Sequence, residues 1–178
     1  MHIILAALGA VVTILVLINR LSETGIDFGW LNPFAWKRRR NWAKQYHANP
    51  VYSVRDPMEV TALLMVALAK SGGDMSSEQK RYIKQEFQNV FGLTEDEASS
   101  LIHSSVFLLK ENFEQVKNLN KVLAPSVESF SSAQASSALE LMTGVVNLDS
   151  QTNAFQANLL QEFNSIFLER FKTTWSSN

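Results

Sequence analysis

"TALLMVALAKSGGDMSSEQKRYIKQEFQNVF", Thr61 to Phe91, can be laid without a gap on "SALELMTGVVNLDSQTNAFQANLLQEFNSIF", Ser137 to Phe167. Ala62 and Leu63 then fall on Ala138 and Leu139, and Gln85, Glu86, Phe87 and Phe91 fall on Gln161, Glu162, Phe163 and Phe167. Each copy is an apolar run, a short polar loop and an amphipathic run, which is the pattern of two helices joined by a turn. Shared amphipathy supplies part of the likeness. A lone helix pair cannot cover its own apolar faces, so two such pairs predict a bundle in which they pack on each other.

The flanking residues set the helix boundaries. In "RDPMEVTALLMVALAKSGG", Arg55 to Gly73, Asp56 is the expected N-cap, Pro57 takes the first helical position and Glu59 follows three residues after the cap. Val60, Leu63, Leu64, Ala67 and Leu68 have the spacing of one buried face, and Gly72 or Gly73 ends the helix. Ser76 or Ser77 caps the next helix, whose apolar side is Tyr82, Ile83, Phe87, Val90 and Phe91, with Gly92 as its stop. Thr94 with Glu97 starts a third, with Ala98, Leu101, Ile102 and Ser105 or Val106 on one side. Further helices are expected over Phe113 to Val122, with Pro125 breaking the chain, then Ser132 to Asn147 and Thr152 to Phe171. No stretch alternates with period two, so residues 55–175 read as an all-α domain of six or seven helices.

Upstream, "IILAALGAVVTILVLI", Ile3 to Ile18, has no charge and is close to the length a membrane span needs. A cleaved signal peptide or a buried core helix would also be apolar. No Lys or Arg precedes the run, however, and Arg20 follows it, so residues 1–20 read as an uncleaved anchor. The block Lys37, Arg38, Arg39 and Arg40 predicts that the chain after the span stays in the cytoplasm, which places the protein in the inner membrane. Residues 21–54 form a basic, aromatic juxtamembrane segment. Trp30, Phe34, Trp36 and Trp42 interleave with the cations, and a helix from Asn32–Pro33 to about His47, ended by Pro50, would lie on anionic lipid headgroups. A basic block beside a span has that explanation already, so no nucleic acid is expected as a partner.

Catalytic chemistry finds little to work with. The chain has no cysteine, which excludes disulfides, thiolate metal sites and cysteine nucleophiles. His2, His47 and His103 form no paired motif, and neither a nucleophile elbow nor a phosphate loop occurs. The serines sit where caps and loops need them. An enzyme is not expected.

With the helices placed, Asp56 to Ile102 resembles the tellurite-resistance TerB-like family. That family shows an apolar helix, a loop of the form Ala-Asp-Gly-x-Ile-x-x-Glu-Glu, a second helix and a segment matched here by "FGLTEDEASSLI", Phe91 to Ile102. The likeness covers roughly Asp56 to Phe171. It implies a helical bundle of two repeated pairs, a link to envelope stress or toxic oxyanions, and a scaffold role. It also implies acidic loops suited to a divalent cation, and here the chain departs from the pattern. Gly72 stands at the Asp position, Gly73 at the Gly position and Met75 at the Ile position; Glu78 keeps one Glu position, whereas Gln79 takes the other. In the second copy Leu148 falls on the Asp position beside Asp149, and Ala154 and Phe155 take the Glu positions. Asp74, Glu78 and Asp149 remain as candidate ligands, too few for a strong site when a hard cation takes six to eight oxygens. No resident cofactor is expected. The favoured reading is a membrane-anchored interaction protein that takes a partner helix in a groove between the repeats; the alternative is a cation-responsive sensor using those carboxylates.

Overall fold

In the computed structural model, residues 49–175 are described. All their regular structure is helical, in six α-helices: α1 Pro57–Lys70, α2 Ser77–Phe91, α3 Glu95–Leu109, α4 Leu119–Leu123, α5 Ser132–Val146 and α6 Ala154–Trp175. Three 3-10 turns, Pro50–Ser53, Phe113–Lys117 and Val127–Ser129, complete the path. The expected anchor over residues 1–20 and the expected interface residues Trp30, Phe34, Trp36, Lys37, Arg38, Arg39, Arg40 and Trp42 lie outside the described residues. Among the described residues no helix is long and apolar enough to cross a membrane.

The helices start where their side chains satisfy the first backbone N–H groups. Asp56 accepts from the Met58 amide at 2.8 Å, and reciprocal capping boxes join Ser76 to Gln79, Thr94 to Glu97 and Ser131 to Gln134. Gly92 ends α2 in the left-handed conformation, with φ 65°, where a side chain would be strained.

Helix α1 is the centre of the bundle. It packs chiefly on α3 and α5, with α2 against α3 and α5 on the flank. One apolar face was the expectation for it; instead every residue from Val60 to Ala69 is buried, because neighbours surround the helix. Each fully buried Leu, Val or Met there contributes about 1.5–3 kcal/mol relative to exposure. Close approach to α3 is allowed by small residues, since Ser100, Ser104 and Ser105 are all buried on its inner side. Ser105 donates to the Leu101 carbonyl at 2.9 Å, whereas the hydroxyls of Ser100 and Ser104 find no partner among the described residues.

Two further expectations change. The helix expected over Phe113 to Val122 is split by Asn118 into a 3-10 turn and α4, whose first turn is capped by the Asn118 side chain through the Lys121 amide. Val51 and Val54 are buried in the same core as α1, so the packed chain begins upstream of Arg55. The second helix pair, α5 and α6, closes over Phe130, which meets Phe163 and Phe167 at ring-centroid distances of 6.3 and 4.9 Å. Beyond Phe167, Arg170 fastens the end of α6 by donating to the carbonyls of Val127, Glu128 and Phe130.

Candidate functional site

The loops that close the two helix pairs meet at one carboxylate. Asp149, half-buried after α5, accepts from the Gln79 amide at 2.9 Å on one oxygen and from the Gln156 amide at 2.6 Å on the other. Both glutamines are buried, at 3% and 0% exposure. Both also occupy the same local role. Gln79 is the third residue of α2 and receives the Ser76 N–H at 3.0 Å, and Gln156 is the third residue of α6 and receives the Asn153 N–H at 2.9 Å. Each helix therefore starts on a reciprocal cap whose spare amide N–H reaches Asp149. The negative charge lies near two helix N-termini, where it is favoured.

Gln156 also donates to the Leu68 carbonyl at 3.2 Å, and Asn153 donates to the Ser71 hydroxyl at 2.8 Å. The second loop is thereby stitched to the end of α1. The remaining candidates stand apart from this knot. Asp74 is exposed and lies 3.5 Å from the Lys70 ammonium, and Glu78 is exposed in the first turn of α2. Among the described residues no group of three or more His, Asp or Glu side chains is placed to hold a metal ion. The structure brings Asp149 together with two amides instead of with Asp74 and Glu78. Donors occupy both its oxygens.

Sequence reasoning read Gln79 as a lost acidic ligand and passed over Gln156. The usable signal was Asn153-x-x-Gln156, which repeats the Ser76-x-x-Gln79 capping pattern. The gap-free overlay hid it by pairing Gln79 with Phe155, one position early.

Two apolar grooves flank the Ser/Ala-rich first half of α5. The first, about 280 Å³, lies between the two helix pairs; Met58, Thr61, Val90 and Phe91 face Ala133 and Ser137 across it. Val90, expected on the buried side of α2, is 47% exposed at its rim. The second, about 380 Å³, lies between α5 and α6 and is bounded by Ser132, Ser136, Leu139, Leu168, Phe171 and Lys172. Leu168 is 50% exposed there. Both grooves exist because Ala133, Ser136 and Ser137 are too small to fill the space between the larger residues on either side. Comparison with family models, with curated proteins and with solved structures gives no match.

Proposed function

We propose that this chain is a single-pass inner-membrane protein whose helical domain, of the TerB-like type, stands in the cytoplasm and acts as a scaffold in an envelope or stress response by binding a helix of a partner protein. The observation that carries the reading is the groove between the helix pairs, where Val90 is 47% exposed beside Met58 and Phe91. An amphipathic helix laid there would bury that apolar edge, and the small side chains of α5 permit close backbone approach. The charge-free run Ile3 to Ile18 and the basic block Lys37 to Arg40 support the anchor and its orientation. The Asp149 knot supports a rigid scaffold over a cation-driven sensor, because donors already occupy both carboxylate oxygens.

Site-specific photocrosslinking in cells tests the groove. A photoreactive amino acid at Val90 is expected to trap one discrete partner, and Ser137→Trp, which fills the groove, is expected to abolish that adduct. An adduct unaffected by Ser137→Trp, or none at all, overturns the partner reading. A reporter fused after Asn178 tests orientation separately, and activity on the far side of the membrane overturns the topology.

A further inference from the structure

The groove between α5 and α6 differs in chemistry from the one assigned to a partner helix. Its floor is aromatic: Phe163 and Phe167 line it, with ring centroids 4.7 Å apart, and Phe171 continues the row 5.9 Å from Phe167. Leu139 and Leu168 form its walls. At about 380 Å³ it lies at the small end of the range that takes a small molecule, roughly 300–1,000 Å³, which suits one hydrocarbon chain better than two. From Ser132 to Leu139 it follows α5 for about 10 Å, at 1.5 Å per residue.

Its neutral polar groups are spread along it, with Asn164 on α6 two turns from the head, but its charge is at one end. Ser132 and Lys172 line the groove where α5 begins, and Ser136 lies one turn further along. The first turn of α5 contains no acidic residue, so the positive end of the helix adds to the Lys172 charge instead of being cancelled. The groove is thus mostly apolar along its length, with Ser136 and Asn164 at its edges, and electropositive at its head. Arg170 keeps the head in place, because its bonds to Val127, Glu128 and Phe130 fix the last turns of α6 against the start of α5. We propose that this groove binds a single medium-chain fatty acid, its carboxylate at Lys172 and Ser132 and its chain along Phe163, Phe167 and Leu168. Charge complementarity selects the anionic amphiphile over a neutral or cationic one.

The full chain, purified in polymer nanodiscs, is photolabelled with a diazirine analogue of dodecanoate, and the modified residues are read by peptide mass spectrometry. Label is expected to concentrate on α5 and α6, and to be displaced by dodecanoate at least tenfold more effectively than by dodecanol or dodecyltrimethylammonium. Ser136→Phe, an exposed position whose new ring would enter the groove, is expected to remove the label with an unchanged circular dichroism spectrum. Lys172→Glu is expected to erase the preference for dodecanoate over dodecanol. Label spread evenly over the protein, label indifferent to Ser136→Phe, or equal displacement by all three amphiphiles overturns the proposal. The assay does not involve Val90 or Ser137, so its outcome is independent of the partner-helix reading; loss of the Val90 adduct with groove labelling intact would overturn only the latter.

Discussion

The phenol oxygen of Tyr82 lies 1.9 Å from the point where a Cβ on Gly144 would stand, so the tyrosine of α2 occupies the space left by the missing side chain in α5. This contact locks the first helix pair onto the second. Alanine at position 144 must push the ring outward, and overpacking of this kind costs about 1–3 kcal/mol. In a Tyr82→Ala background the obstacle is gone, and Gly144→Ala should instead stabilise by about 0.5–1 kcal/mol through helix propensity. Urea unfolding of the four proteins in this cycle checks the change of sign.

The same tyrosine gives an alkaline signature. Burial, and then the neighbouring Glu86 charge, raise its phenol above the ordinary value of 10.0. Above pH 10 the unfolded chain releases this proton while the folded chain keeps it, so folding becomes less favourable as pH rises through the folded value. The contribution is fully present below pH 10. Tyr82→Phe should flatten the fall of the thermal midpoint above pH 10 relative to the unmodified chain; identical slopes would contradict the assignment.

Asp149 should respond to what replaces its amide donors. Gln156→Met removes the N–H groups that serve Asp149 and the Leu68 carbonyl, and is expected to cost about 1–3 kcal/mol. Changing Gln79 and Gln156 together to Glu brings three carboxylates into one pocket, so the double variant should be weakened at neutral pH and recover in acid. Millimolar calcium should raise its melting temperature while leaving that of the unmodified chain in place. A calcium-dependent shift in the unmodified chain would restore the cation-sensor alternative.

Arg170→Met leaves three carbonyls in the turn just before α5 without their cationic donor. Hydrogen exchange is expected to speed up in α6 from Leu168 onward and around Val127 to Phe130, with α1 protection unchanged. Uniformly faster exchange would indicate instead that Arg170 supports the whole bundle.

The exposed ion pair between Lys84 and Glu95, 2.7 Å apart, contrasts with these buried contacts. Hydrogen bonding to Lys84, and then its charge, lower the Glu95 carboxyl below its ordinary 4.5. Its contribution is present above that value and lost as pH falls through the lower folded one. Because the pair is exposed, Lys84→Ala should change stability by less than about 1 kcal/mol at neutral pH, which chemical denaturation measures directly.

Local chemistry was legible in the amino-acid order because it is local. Asp56 and Pro57, Ser76 or Ser77, Thr94 with Glu97 and Gly92 fix where helices begin and end through contacts only a few residues long, and spacing at Leu63, Leu64, Ile83 and Phe87 marks faces that are buried. What surrounds a helix is not a local property. Val60 to Ala69 look amphipathic in isolation and are buried all round only because α3 and α5 both close on them. The joining of Gln79 and Gln156 at Asp149, the fit of Tyr82 over Gly144 and the opening of grooves beside the small residues of α5 were likewise decided by packing. Each depends on distances between residues far apart in the chain, set by side-chain volumes from several helices at once.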